Sequence, residues 1–270
     1  MNEMATKYES RGHQARGRGD KVTVTDVRRS FNRKVANHVT VTWFGRPLAN
    51  LLTPAFYNTG WSANQVTLLR IGVAALGVGL LLGPVAWFPY VAAFSFYAAF
   101  VLDCVDGNIA RLRGTVTYWG KFLDGLADFV FVLGAPIAAG IGLWLAGDAV
   151  VWMLAGALIT VTSLTSQMVR SRLSFMREWM TSQTGQLTQD DLARLAKPWR
   201  LQAIAAAVYV NGTFFAPLLL CVPGDGPWLF VLALLPLQLG SELVWLTGTM
   251  IEARRMLARP RKSIHAARSQ

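Results

Sequence analysis

Long apolar segments separated by short polar connections dominate the chain from residue 60 onward. Six of these segments are each long enough to cross about 30 Å of hydrocarbon at about 1.5 Å per residue of α-helix. The pattern therefore predicts an all-α membrane protein with six transmembrane helices. We place these helices near residues 64–83, 87–107, 119–146, 149–174, 201–222 and 227–250.

The region before the first apolar segment has a different pattern. Residues 1–22 are polar and rich in Gly and Arg, and we expect a disordered basic tail there. Within residues 24–59, Val27, Phe31 and Val35 recur every four residues with arginines between them. This spacing predicts an amphipathic juxtamembrane helix that lies on the membrane surface. A solvated basic linker is the alternative interpretation.

Charge is distributed along the chain in a way that predicts its orientation. The protein has 270 residues, of which 53% are hydrophobic and 15% charged, with a net charge of +11. This composition is too apolar for an ordinary soluble domain. In a six-helix topology all 26 Lys and Arg residues fall on one side. The positive-inside rule then places both termini in the cytoplasm.

The predicted domain organisation follows from these two patterns. A six-helix domain covers residues 60–252, and a basic cytoplasmic tail covers residues 253–270. The positive charge then marks the cytoplasmic surface of the cell (inner or plasma) membrane, so we expect membrane lipid and no nucleic acid as a partner. Cys104 and Cys221 fall near opposite surfaces, and we expect no disulfide between them.

Four aspartates interrupt the second and third apolar segments. Asp103 and Asp106 are three residues apart, and Asp124 and Asp128 are four apart, so each pair shares one face of a helix. Between the pairs, glycine and threonine residues within 114–120 break the apolar pattern and allow the chain to turn back. Two antiparallel helices could therefore present four carboxylates to one point near the cytoplasmic surface.

Such a cluster predicts bound metal. Four unpaired carboxylates at the edge of a membrane would cost roughly 3 kcal/mol each. Hard divalent cations would offset this cost, since Mg²⁺ prefers oxygen ligands and is usually held by a few carboxylates together with substrate phosphates. We therefore expect Mg²⁺ or Mn²⁺, with two ions, at Asp103, Asp106, Asp124 and Asp128.

The aspartate pattern resembles the signature of the CDP-alcohol phosphotransferase (CDP-alcohol phosphatidyltransferase) family, Asp-x2-Asp-Gly-x2-Ala-Arg-x8-Gly-x3-Asp-x3-Asp. Its eight fixed positions are Asp103, Asp106, Gly107, Ala110, Arg111, Gly120, Asp124 and Asp128. The resemblance implies an integral membrane enzyme of phospholipid biosynthesis that works as a homodimer. In such enzymes a hydroxyl of a small polar acceptor attacks the β-phosphate of a CDP-activated lipid and releases CMP.

The resemblance also implies roles for individual residues. Asp128 is expected to be the base that removes the acceptor proton, besides holding metal. Small residues at Gly107 and Ala110 would let the nucleotide approach closely, and Arg111 offers a fork of donors to the diphosphate. The CDP-lipid-binding residues are expected to be Asn64, Thr67, Arg70, Gly107, Ala110, Arg111 and Thr117. The first three are spaced by three and resemble the Asn-x2-Thr-x2-Arg pattern that relatives use around the CDP group. For these three, a helix cap with a snorkelling arginine is the alternative.

The acceptor is expected to contact two arginines. Arg170 and Arg172 end the fourth segment and resemble the Arg-x-Arg of relatives whose acceptor carries a phosphate, although Met168 replaces a tyrosine common just before it. Guanidinium pairs suit a phosphorylated polyol, and the Arg-x-Arg resemblance implies inositol phosphate ahead of glycerol phosphate. Positive-inside anchoring is the alternative. Glu242, the one acid in the last three segments, is expected to make a helix–helix hydrogen bond.

Two other functions remain open on the residues alone. A membrane prenyltransferase also uses aspartates and Mg²⁺ on a lipid diphosphate, but usually carries two Asp-rich loops. A divalent-cation transporter would show polar residues at mid-membrane in both halves. Small residues at spacing four, Gly134, Ala138 and Gly142, would allow close helix packing, either in a homodimer or within one subunit.

Overall fold

The computed structural model describes residues 21–30, 40–115, 117–182 and 200–257, and these ranges are helical and contain no strand. The helices are α1 (Val24–Arg29), α2 (Arg46–Asn58), α3 (Ala63–Leu81), α4 (Phe88–Arg113), α5 (Tyr118–Leu145), α6 (Val151–Ser182), α7 (Arg200–Phe215), α8 (Gly226–Leu234) and α9 (Ser241–Leu257). A π-helical turn precedes α2, a 3₁₀ stretch follows α7, and a second π-helical turn joins α8 to α9. These stretches are Val41–Gly45, Ala216–Cys221 and Leu235–Gly240.

The predicted all-α membrane fold is confirmed. Six helical stretches in the described ranges are long and apolar enough to cross a membrane: Ala63–Leu81, Phe88–Arg113, Tyr118–Leu145, Val151–Thr181, Arg200–Cys221 and Gly226–Arg254. The second, fourth and sixth of them extend beyond the predicted ends at residues 107, 174 and 250. The reason is that hydropathy marks the part of a helix that suits hydrocarbon, whereas the backbone hydrogen bonds continue through the polar residues that follow.

Two compact units make up the chain. The first unit comprises Met1–Ala75 and Ser95–Asp128, and the second comprises Leu76–Phe94 and Phe129–Gln270. The whole eight-residue signature therefore lies in the first unit, together with the juxtamembrane segment. Arg170 and Arg172, the predicted acceptor ligands, lie in the second.

In the first unit, α2 packs along the C-terminal half of α4. At the start of α2, a side chain on Gly45 would collide with the ring of Phe100. At its end, the Arg113 guanidinium lies 4.9 Å from the centre of the Tyr57 ring. The contacts advance along both helices together, so α2 and α4 run in the same direction. Between these ends the two helices and α3 share a buried apolar cluster of Ala49, Val66, Val101, Leu102, Val105 and Ile109.

Within the described residues, the predicted amphipathic segment forms α1 at its start and α2 at its end. Val27 of α1 is buried, and two hydrogen bonds tie Val22 to the end of α2. The Val22 amide donates to Asn58 Oδ1 at 2.9 Å, and Asn58 Nδ2 donates to the Val22 carbonyl at 3.0 Å. Phe31 and Val35 lie outside the described residues. The orientation of this segment at the membrane surface stays a prediction.

Polar contacts between helices organise the second unit. Arg170 of α6 donates to both carboxylate oxygens of Glu242 on α9, at 2.9 and 3.3 Å, and Glu242 is buried. The helix–helix bond expected of Glu242 is thus confirmed. Gln238 Nε2 donates to the Val132 carbonyl at 2.8 Å and to Ser163 Oγ at 2.9 Å. Three spanning stretches are joined through these buried groups.

Within the second unit, the small residues of α5 face α3 of the same chain. A methyl group on Gly134 would lie 2.9 Å from Val78, and one on Gly142 would collide with the Leu81 carbonyl. Ala138, between them, is buried. Of the two interpretations left open for these residues, packing within one subunit is the one the structure supports. The homodimer stays a prediction, and these residues do not support it.

The topology can be tested with introduced cysteines in a background carrying Cys104→Ser and Cys221→Ser. Asp148→Cys and Asp225→Cys, both exposed, should react with an impermeant thiol reagent applied to intact cells. Thr59→Cys, which precedes the first spanning helix, should react only after the membrane is permeabilised. Labelling of Thr59→Cys in intact cells, with protection of the other two, would overturn the termini-inside topology.

Candidate active site

A tight turn between α4 and α5 brings the two aspartate pairs together. Gly114 has a φ of 64°, a left-handed conformation that glycine adopts at little cost after a helix end. The Thr115 amide bonds back to the Ala110 carbonyl at 3.1 Å. Thr117 Oγ1 then accepts a hydrogen bond from the Gly120 amide at 3.0 Å, which caps the start of α5. The predicted reversal between the two helices is thereby confirmed.

Three of the four predicted metal ligands converge. Asp103, Asp106 and Asp124 each offer a carboxylate oxygen, and these oxygens lie within 4.8 Å of one another. Asp106 is buried whereas Asp124 is exposed, so the cluster has a closed wall and an open side. A donor set made only of hard oxygens fits Mg²⁺ or Mn²⁺. The carboxylates alone would leave further coordination positions to water or phosphate oxygens.

Arg70 of α3 lies at the centre of the cluster and connects it to Asp128. Its Nη1 is 2.7 Å from Asp103 Oδ1 and 2.8 Å from Asp124 Oδ1, and its Nη2 bonds to Asp128 Oδ1. The residue is only 8% exposed. One guanidinium therefore holds carboxylates from α4 and α5. The sequence pattern placed Arg70 among the CDP-lipid ligands and contained no sign of these ion pairs.

The other two residues of the Asn-x2-Thr-x2-Arg pattern also face the signature. Thr67 Oγ1 donates to Asp106 Oδ2 at 2.8 Å, and both residues are buried. A methyl group on Gly120 would lie 3.2 Å from Thr117 Oγ1 and 3.3 Å from Asn64 Oδ1. Glycine at position 120 thus leaves room for both polar groups. The structure brings together Asn64, Thr67 and Thr117 around the aspartate hairpin.

A hydrogen-bond chain that the sequence did not indicate positions Arg111. Arg111 Nη2 donates to Asn108 Oδ1 at 2.6 Å, and Asn108 Nδ2 donates to Thr53 Oγ1 at 2.9 Å. The Thr53 hydroxyl in turn donates to the Ala49 carbonyl at 2.6 Å. Gly107 lies beneath the guanidinium, since a methyl group there would be 3.4 Å from Arg111 Nη1. The α2 helix therefore orients the predicted diphosphate ligand through Asn108.

Arg111 keeps hydrogen-bonding capacity for an anion. Its Nε is buried and has no hydrogen-bond partner among the described residues. A buried, unsatisfied donor on a charged group is costly unless a ligand supplies the acceptor. With Nη2 held by Asn108 and Nε without a partner, the guanidinium can offer its planar fork of donors to a phosphate group. Ala110, one residue earlier, is partly exposed and adds no bulk.

The predicted acceptor ligands lie in the second unit. Arg170 is bound to Glu242, and its guanidinium also lies 5.8 Å from the centre of the Trp245 ring. The Arg172 guanidinium lies 5.5 Å from the centre of the Phe175 ring. Among the described residues, Arg172 forms no ion pair. Of the two guanidinium groups, that of Arg172 therefore has more hydrogen-bond donors left for a ligand.

The hydrogen-bond chain to Arg111 generates a prediction for Thr53→Val. Removing the hydroxyl leaves the buried Asn108 amide with only its longer bond to Asn50 Oδ1 at 3.4 Å, which should cost about 0.5–1.5 kcal/mol of stability. It should also raise the KM for a CDP-lipid, because Arg111 loses its orientation. Thr59→Val is the matched control, since Thr59 is exposed and bonds only to carbonyls of its own helix. Thermal denaturation and donor kinetics that are the same for both variants would contradict this role.

Comparisons with known proteins identify the family of the chain. Curated CDP-diacylglycerol–glycerol-3-phosphate 3-phosphatidyltransferases from Escherichia coli (strain K12), Shigella flexneri serotype 5b (strain 8401) and Shigella sonnei (strain Ss046) are each 39% identical over 72 residues. The match covers 27% of this chain and 40% of each relative, so the chain spans under half the length of these relatives. The family model for CDP-alcohol phosphatidyltransferase matches residues 61–235. The chain belongs to the CDP-alcohol phosphatidyltransferase family.

Proposed function

We propose that the protein transfers a phosphatidyl-type group from a CDP-activated lipid, such as CDP-diacylglycerol, to a hydroxyl of a small polar acceptor and releases CMP. The observation that carries this proposal is the convergence of Asp103, Asp106 and Asp124 within 4.8 Å on the hairpin that holds the complete signature. Family membership favours this reaction over prenyl transfer and over cation transport. The place of the reaction would be phospholipid biosynthesis.

The four aspartates would hold the divalent metal. Asp103, Asp106 and Asp124 supply the converging oxygens, and Asp128 lies within reach of the same guanidinium as Asp103 and Asp124. Bound Mg²⁺ or Mn²⁺ would neutralise these carboxylates and polarise the phosphate oxygens of the donor. Two ions are proposed, since four carboxylates carry the charge of two divalent cations.

The donor would bind along the start of α3 and the hairpin. Arg111 would contact the diphosphate, because its guanidinium is oriented by Asn108 and retains an unpartnered Nε. The small residues Gly107 and Ala110 would allow the nucleotide to lie against α4. Asn64, with Thr67 and Thr117, would complete the polar lining for the CDP group.

Asp128 would act as the general base. Its side chain is 60% exposed, so an acceptor hydroxyl can reach it. The acceptor oxygen would form a bond to the β-phosphorus while the bond from that phosphorus to the oxygen of CMP breaks. The leaving CMP keeps the electron pair of the broken bond, and the acceptor proton moves to the Asp128 carboxylate.

A phosphorylated polyol is the proposed acceptor. The name of the matched relatives specifies glycerol 3-phosphate, whereas the Arg-x-Arg resemblance favours inositol phosphate. Both compounds carry a phosphate that a guanidinium can bind in a bidentate way. Arg172 would supply the main contact, and Arg170 would act from a position fixed by Glu242.

The proposed enzyme would work in the cell membrane as a homodimer, with its site facing the cytoplasm. The support for the orientation is the placement of all 26 Lys and Arg residues on one side of the six-helix topology. Water-soluble nucleotides and sugar phosphates are then available at the surface where the aspartate hairpin ends.

The proposed reaction predicts metal-dependent release of CMP from CDP-diacylglycerol by the purified protein. Asp103→Asn and Asp124→Asn should each lower the rate by roughly 100-fold or more, because each removes charge from the metal site. Asp225→Asn is the control, since Asp225 is exposed and binds Trp228 outside the cluster. CMP release without a divalent ion, or a near-normal rate in either cluster variant, would refute the proposal. A prenyltransferase or a transporter would release no CMP.

The role of Asp128 predicts a split between chemistry and binding. Asp128→Asn should lower kcat by roughly 10²- to 10⁴-fold, the usual contribution of a general base. The Kd for CDP, measured by calorimetry at saturating Mg²⁺, should change far less. Equal losses in kcat and in CDP affinity would instead identify Asp128 as a ligand only.

The acceptor assignment predicts an effect on one substrate only. Arg172→Ala and Arg170→Ala should raise the KM for the acceptor by about 10- to 150-fold, the value of a charged hydrogen bond, with little change for the CDP-lipid. Arg254→Ala, at an exposed position of α9, serves as the control. The measurement is initial-rate kinetics over a panel of inositol phosphate, glycerol phosphate, inositol and serine. Wild-type acceptor kinetics in both variants, or preference for an unphosphorylated acceptor, would show the assignment to be wrong.

A further inference from the structure

Arg70 occupies an unusual position for a ligand of the donor. Its Nη1 contacts Asp103 and Asp124 at 2.7 and 2.8 Å, and its Nη2 contacts Asp128. The side chain is 10% exposed. A buried guanidinium with three carboxylate partners is a fully engaged cation and not one that waits for a ligand.

Two of the carboxylates that Arg70 contacts are among those that would bind metal. Asp103 and Asp124 belong to the group whose oxygens lie within 4.8 Å of one another. A divalent ion and a guanidinium placed on the same carboxylates repel each other, because both are positively charged and only a few ångströms apart. A divalent ion at this cluster would therefore weaken the hold of the carboxylates on Arg70.

We propose that Arg70 is the counter-ion of the carboxylate cluster, that a divalent metal displaces it, and that the displaced guanidinium binds the diphosphate of the donor. This inference rests on the proposed metal site and donor. It gives Arg70 the role of coupling metal binding to donor binding, which goes beyond the simple donor contact that the sequence pattern implies.

The neighbours of Arg70 determine where its charge can go. Arg70 shares a helix face with Thr67 and Asn64, which contact Asp106 and the surroundings of Gly120. A guanidinium that gives up its carboxylates inside an apolar unit needs another anion, since an unpaired buried charge is strongly unfavourable. The phosphates of the donor bring that anion. Metal and donor should therefore each strengthen the binding of the other.

The test is to titrate the purified protein with Mn²⁺ alone and to measure the free ion at each step by electron paramagnetic resonance. Arg70→Met should bind Mn²⁺ about tenfold more tightly than wild type, the lower end of the value of one charged contact. Arg70→Lys should lie between the two, because an ammonium keeps the charge but cannot bridge three carboxylates. This variant also keeps the test valid if Arg70→Met does not fold.

Arg113→Met is the matched control for loss of one positive charge in the same unit. The Arg113 guanidinium lies over the Tyr57 ring and donates to the Tyr57 carbonyl, and it forms no ion pair within the described ranges. Its Mn²⁺ affinity should equal that of wild type. An equal gain in Arg113→Met would attribute the effect to general electrostatics and overturn the inference.

A second titration in the presence of CDP measures the coupling. CDP should increase the Mn²⁺ affinity of wild type, and the factor should be about tenfold smaller in Arg70→Met. Equal Mn²⁺ affinities in wild type and both Arg70 variants would overturn the role of Arg70 and leave the metal site intact. Absence of Mn²⁺ binding in every protein would refute the metal site itself, and the inference with it.

Discussion

Mutual repulsion of carboxylates on two apolar helices is the constraint around which the first unit is organised. Asp103 and Asp106 on α4 face Asp124 and Asp128 on α5, and each ionised group would be costly without a partner. Arg70 contacts three of them, and Thr67 donates to the fourth. The first turns of α3 therefore stabilise the aspartate hairpin by supplying both the charge and the hydrogen bond that it needs.

The same constraint explains the position of α2. Arg111 adds a further charge at the end of α4, and its guanidinium is held by Asn108, which in turn bonds to Thr53. Because α2 runs alongside α4, its buried face can supply this polar contact while Ala49 packs into the apolar cluster. The juxtamembrane segment is thus part of the site. Its helical structure orients a ligand of the proposed donor.

Spacing within one helix could be read from the sequence, whereas contacts between helices could not. The three- and four-residue spacing of the aspartates, with Gly114 between the pairs, predicted the converging hairpin because faces and turns depend on local sequence. The ion pairs of Arg70 depend on which residue of another helix lies opposite. Thr53, a common residue in an amphipathic segment, has no local signal for its bond to Asn108.

The acceptor arginines illustrate the same limit in the second unit. The Arg-x-Arg pattern suggested two equivalent guanidinium groups at the end of α6. In the structure, Glu242 on α9 lies 72 positions later in the sequence and accepts two hydrogen bonds from Arg170. Pairing of this kind fixes the side chain and removes part of its capacity for a phosphate. Arg172 is left as the group better able to contact the proposed phosphorylated acceptor.

The central claim is that the aspartate hairpin holds a divalent metal against the phosphates of the CDP-linked donor. Pulsed electron–nuclear double resonance of Mn²⁺ in the purified protein with CDP tests it most directly. The account predicts a phosphorus coupling to Mn²⁺ in wild type that disappears in Asp103→Asn and Asp124→Asn. A phosphorus coupling that persists unchanged in both variants, or bound Mn²⁺ without any phosphorus coupling in wild type, would contradict the account.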